Sequence, residues 1–170
     1  KLTLPQITEE GQKRLSSILP QYDEKRIWNN RVYLITYDLP LKKNKERNYL
    51  RFFLRRIGCG MLQKSVWITP YNPTKLLEKF MEEKGLNDLI LISSLGKDGT
   101  VGNIDLSDLL VDVYKLRELN EEYKEFIFKA KENKSIKEQL IFHYLNILAN
   151  DPQLPFSLLP EWWIGDIAYK

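Results

Sequence analysis

The nine residues "VYLITYDLP", Val32 to Pro40, constrain the fold of this chain more than any other stretch. β-Branched and aromatic residues dominate them, and apolar side chains fill both alternating sets of positions, so a strand here has no face suited to water. Such a strand belongs in the middle of a sheet covered on each side. Pro40 has no amide to donate and ends it. Asp38 then stands at the end of an apolar strand, either as an acceptor for the amides of the following loop or as a group facing a metal or a phosphate.

After the polar loop "LKKNK", a helix is expected from about Glu46 to Ile57, because Tyr49, Leu50, Phe53, Leu54 and Ile57 recur at helical spacing and Gly58 supplies a stop. Arg47, Arg51 and Arg55 follow each other at four-residue steps, which predicts a guanidinium stripe opposite the apolar one, flanked by Arg56. "CGMLQKSVWITP" reads as strand, with Leu62, Val66 and Ile68 alternating against Gln63, Ser65 and Trp67. Pro70 and Pro73 open a second helix, "PTKLLEKFMEEKG", expected to bury Leu76, Leu77, Phe80 and Met81 and to stop at Gly85. "DLILISSL" is a further strand, and "GKDGTVGN" leads into a hairpin or another strand over 95–104.

This order predicts an α+β chain: a ferredoxin-like βαββαβ sandwich, an antiparallel sheet with two helices on one face, followed by a small helical C-terminal domain. The expected divisions are 1–26, 27–104 and 105–170. Residues 1–26 read as the end of something upstream, with Thr8 as a helix N-cap. Past Ile104, "LSDLLVDVYKLRELNEEYKEFIFKAKE" is one long helix or two, "SIKEQLIFHYLNILAN" is another capped by Ser135, and "DPQLPFSLLPEWW" is a proline-rich arm laid across the preceding helices.

Composition narrows the chemistry. Apolar residues make up 43% of the 170 and charged ones 29%, which suits a globular domain, and the apolar runs are too short to span a bilayer. No signal peptide is visible, so a cytoplasmic location is expected. A single cysteine, Cys59, excludes an intramolecular disulfide framework and a cysteine zinc site. The lone histidine, His143, shares a helix face with Ile136, Leu140 and Ile147, which suits packing. Charge is uneven: the net is +3, yet Lys42 to Lys64 holds eight basic residues against one acid, Glu46, a local surplus of seven. Residues 120–138 hold five lysines and five glutamates and balance. The first window is a candidate field for a polyanion, because guanidinium groups fork onto phosphate oxygens; the second is a solvated helix face.

"VYLITYDLP", the basic helix and "GCGMLQKSVWITP" together resemble the core of the small CRISPR adaptation protein, the partner of the integrase, whose strand-one aspartate is its proposed metal ligand. The same core occurs in the phenylacetate-operon repressor (PaaX-like) family, which the chain resembles over more of its length. "ITEEGQKRL" is similar to the end of that family's N-terminal winged helix, "VDVYKLRELNEEYKEFI" to its central helical motif and "NDPQLPFSLLPEWWIGDIA" to its C-terminal motif. The resemblance implies a middle domain that forms homodimers, transcriptional regulation through DNA, and an acyl-CoA or other small-molecule effector. Lys42, Lys43, Arg47, Arg51, Arg55 and Lys64 are the expected nucleic-acid contacts, to DNA or RNA, with no cofactor. The alternatives are a Mg²⁺-dependent endonuclease using paired copies of Asp38, and a non-enzymatic dimerisation module.

Overall fold

The computed structural model describes Glu9 and residues 21–86, 89–96, 105–132 and 137–170. The caps expected at Thr8 and Ser135 and most of the strand or hairpin expected over 95–104 lie outside them. The chain is α+β: β1 (Val32–Asp38), α1 (Asn44–Arg56), β2 (Gly60–Gln63), β3 (Val66–Thr69), α2 (Thr74–Lys84) and β4 (Leu89–Leu95), then α3 (Leu106–Val113), α4 (Leu116–Lys131), α5 (Lys137–Asn150) and α6 (Gly165–Tyr169). Among the described residues no helix is long and apolar enough to cross a membrane. The chain divides into two compact units.

The first unit, Lys25–Arg117 with Leu154–Glu161, holds the sheet. Its strands run β2-β3-β1-β4, and β1 pairs antiparallel with both β3 and β4. Each helical connection passes over one strand: α1 leads from β1 to β2 beyond β3, and α2 leads from β3 to β4 beyond β1. This is the ferredoxin-like arrangement expected from the element order. Register places Ile35 opposite Trp67 on one face and Leu34 opposite Ile68 on the other. On the Ile35 face the core joins Tyr37, Leu39, Leu50, Leu54, Cys59, Trp67, Leu77, Phe80 and Leu86, and Phe53 stacks on Phe80 with ring centroids 4.2 Å apart. Complete burial of an aliphatic side chain such as Leu50 or Leu54 is worth about 1.5–3 kcal/mol, so this layer fixes α1 on the sheet.

Local chemistry sets the helix ends. Asn72 Oδ1 accepts the Thr74 amide at 3.0 Å, and Gly85 adopts the left-handed φ of 61° that closes α2. Leu77 and Phe80 point inward, and Leu76 is exposed, contrary to its expected burial. Leu76 lies roughly 70° around the helix from the midpoint of that pair, beyond the edge of the buried stripe. The segment from Leu106 forms two helices, because Lys115 takes a left-handed φ of 52° that no α-helix continues through.

The second sheet face is covered in part. Val32 is buried, Leu34 and Thr36 are half-buried, and Leu91 is exposed. Cover comes at the β2 end from α3: a Cβ on Gly60 would sit 2.3 Å from Val113 Cγ1, so only glycine fits there. The Tyr114 hydroxyl accepts the Gly60 amide at 3.1 Å and faces the carbonyls of Gly58 and Ile68, each at 2.9 Å. The proline-rich arm buries Leu154 and Leu158, and its 154–161 stretch belongs to this unit. Arg26 secures it, donating to the Leu154 carbonyl at 3.3 Å and lying over the Phe156 ring.

The second unit contains α4 from Glu118, α5, α6 and residues 21–24. Asn120 holds the chain near the paired tryptophans at two points, donating to the Trp162 carbonyl and accepting from the Ile164 amide. The Tyr123 hydroxyl donates to Asp151 Oδ2 at 2.8 Å, and the Tyr123 ring meets Trp163 edge-on. His143 is half-buried with its ring against Phe126, the packing role expected for it. Tyr22 stacks on Tyr169 and donates to Asp166, which fastens residues 21–24 to α6.

Candidate nucleic-acid interface

Three separate segments bring their cations to one end of the sheet. Pro40 is followed by a 3-10 turn, Leu41–Lys43, that presents Lys42 and Lys43. α1 begins directly afterwards, with Lys45, Arg47 and Arg51 toward this end and Arg55 and Arg56 in its last turn, farther along the sheet, and the turn between β2 and β3 carries Lys64. Side-chain bonds join them. Arg47 donates through Nη2 to the Leu39 carbonyl and through Nη1 to Asn44 Oδ1. Arg51 donates through Nε to the Tyr37 hydroxyl at 3.1 Å and through Nη2 to the Lys64 carbonyl at 3.2 Å. The Tyr37 hydroxyl donates in turn to the Lys64 carbonyl at 2.9 Å.

The arginine stripe therefore lies beside the apolar stripe and not opposite it. At 100° per residue its midline falls about 80° from that of Leu50 and Leu54. From this flank Arg47 and Arg51 reach the strand ends and are half-buried there. Arg55, one turn on, is exposed at its outer side and lies over the buried Trp67 ring, 5.6 Å from its centroid. Lys42 and Lys64 are exposed and Lys43 is half-buried. Sequence spacing gave no sign of Tyr37 as the hinge of this arrangement. Its partners Arg51 and Lys64 are 14 and 27 residues away, and only the sheet and the α1 crossover bring them together.

Asp38 stands at the edge of the same end. Its side chain is exposed and borders a shallow cavity of about 270 Å³ lined also by Thr36, Tyr37, Ser65, Val66 and Leu91. Among the described residues no loop amide caps this carboxylate, and no three His, Cys, Asp or Glu side chains gather where they could hold a metal ion. One carboxylate with neutral neighbours is too small a donor set for Mg²⁺, so a single copy of these residues does not fit that ion.

Cys59 is buried in the Ile35-face core, and Tyr114 is half-buried with its hydroxyl against Gly60. Burial pushes the Cys59 thiol up to about 12, a hydrogen bond with Thr69 offsetting part of the rise, which leaves the thiol protonated and unreactive. Burial also raises Tyr114, with the neighbouring Cys59 adding to it. Neither is a nucleophile at neutral pH.

No curated protein matches the chain. Among solved structures, the uncharacterized protein Rv0674 from Mycobacterium tuberculosis is similar, with a TM-score of 0.64 and 17% sequence identity over 85% of this chain. That likeness is one of fold, and the chain spans 58% of the length of that protein. Residues 25–101, which contain the whole β1–β4 sheet with α1 and α2, match the family model described as the PaaX protein central Cas2-like domain. Through this segment, the chain carries a domain that matches the PaaX protein central Cas2-like domain.

Proposed function

We propose that the chain is a PaaX-like transcriptional regulator or part of one, acting as a homodimer, whose central domain binds nucleic acid through the phosphate backbone. The observation that carries this reading is the joining of three basic segments at one end of the sheet by the Arg47 and Arg51 bonds. Those two arginines act as anchors. Lys42, Lys43, Arg55 and Lys64 make the direct phosphate contacts, and a surface of this kind reads charge and not sequence. Sequence selection by a regulator then needs other elements. Any acyl-CoA or small-molecule effector belongs to the same reading by family likeness alone.

The test is the salt dependence of binding to a mixed-sequence duplex. Four phosphate contacts give a log–log slope of about −3.6, and a loss in affinity on the order of 100-fold between 50 and 200 mM salt. Binding that ignores salt would overturn the reading. Sedimentation of the free protein tests the dimer.

The exposed Asp38 beside this surface favours one second reading, metal-dependent phosphodiester cleavage by the carboxylates of two copies. Incubating labelled DNA and RNA with Mg²⁺ or EDTA, alongside Asp38→Ala, tests it. Cleavage that survives the substitution would exclude Asp38.

A further inference from the structure

α1 has a second functional face. Around the outer side of the helix, at the three- and four-residue spacings that make neighbours, lie Lys45, Tyr49, Phe52, Arg55 and Arg56. Phe52 is 66% exposed and Tyr49 56%, on a helix whose buried stripe is already filled by Leu50 and Leu54. The Lys84 ammonium from the end of α2 sits over the Tyr49 ring, 5.5 Å from its centroid. Two exposed rings thus lie among four cations, with one face of Tyr49 covered by Lys84.

We propose that this face binds single-stranded nucleic acid, with unpaired bases stacked on Phe52 and Tyr49 and the backbone held by Lys45, Arg55 and Arg56. The proposal rests on the phosphate-binding reading and specifies the strandedness of the ligand. A duplex keeps its base faces stacked inside, so it has no use for exposed rings; an unpaired strand offers a base face and a phosphate at every step. Charge decides against the other occupants. A second copy of this face would set cations against cations, and a lipid surface calls for an extended apolar face, whereas these two adjoining rings are flanked by basic side chains.

Fluorescence anisotropy with labelled dT20 and a 20-base-pair duplex tests this, using wild type, Phe52→Ala and Phe52→Leu, with thermal melts to verify folding. Phe52→Ala is expected to weaken dT20 binding about 5- to 100-fold while duplex affinity and its salt slope stay within about twofold. Phe52→Leu, apolar but unable to stack, is expected to behave like Phe52→Ala. Equal losses on both ligands, no loss on dT20, or rescue by leucine would each overturn the stacking role and leave the phosphate surface standing. Absence of salt-dependent binding to either ligand would remove both. Capture by anionic phosphatidylserine vesicles that depends on Phe52, with dT20 binding unchanged, would assign the face to lipid and overturn the proposal.

Discussion

Replacing Arg51 with alanine separates an anchoring guanidinium from a phosphate-binding one. Arg51 bonds the Tyr37 hydroxyl and the Lys64 carbonyl from a half-buried position, so the substitution removes two charge-assisted hydrogen bonds. Such bonds contribute about 1.5–3 kcal/mol each when shielded, and partial exposure reduces the pair to about 1–2 kcal/mol in all. For a chain of this length that is a fall of about 2–8 °C in Tm. The guanidinium points at protein, so the slope of log K against log salt should change by less than about half a unit. Lys64→Ala is the complement: its side chain is exposed, so stability should hold within about 0.5 kcal/mol while the slope falls by about 1. Thermal unfolding by circular dichroism and anisotropy titrations at four salt concentrations read both quantities. A full unit of slope lost in Arg51→Ala with Tm unchanged would refute the anchoring role.

Three further outcomes are expected. Tyr114→Phe strips the Gly60 amide of its partner, and a loss of about 1–3 kcal/mol should appear as a lower urea midpoint at constant m; an unchanged midpoint would mean water replaces the hydroxyl. Asp38→Ala should leave stability within about 0.5 kcal/mol, since the exposed carboxylate caps no amide among the described residues, and a larger loss would restore the capping role. Cys59 is raised from 9.0 to about 12, so its neutral form is favoured by folding; its contribution is complete below about pH 9 and lost as pH rises toward 12. Cys59→Ser should therefore flatten the alkaline limb of the stability curve, to which Tyr114 also contributes. Superimposable limbs would contradict the buried thiol.

Much of the sheet unit is legible in the sequence because its signals are local. The doubly apolar run of β1, the stop at Gly58 and the left-handed Gly85 need no knowledge of distant residues, and the ferredoxin-like order follows from them. The interface was half legible. Charge density identified the window, but four-residue spacing alone cannot say whether a stripe sits opposite the core or on its flank. That is decided by where Leu50 and Leu54 settle on the sheet, and on the flank Arg47 and Arg51 meet carbonyls before they meet solvent. Tyr114 was invisible for a related reason. Nothing near it in sequence shows that its hydroxyl meets Gly60, and the need for a glycine there appears only once Val113 is found against it. The two rings of the outer α1 face were hidden by composition: Tyr49 reads as a core residue, and its exposure follows only from the placement of the helix.

The Tyr114 contact also bears on the order of folding and on where the chain can be cut. The hydroxyl closes a loop of 54 residues onto the edge strand, so β2 cannot finish its bonding until α3 has formed behind it. Local pieces, the β2–β3 turn and the two sheet helices, can assemble early, while this closure waits for long-range docking. A fragment ending at residue 101 would hold every described strand and still lack Leu106, Leu110, Val111 and Tyr114, together with the 154–161 arm that packs in the same unit. Its sheet would be complete in topology and open at one edge, a state in which unpaired strand groups invite a neighbouring chain. The matched segment alone would thus leave out residues that cover its own edge strand.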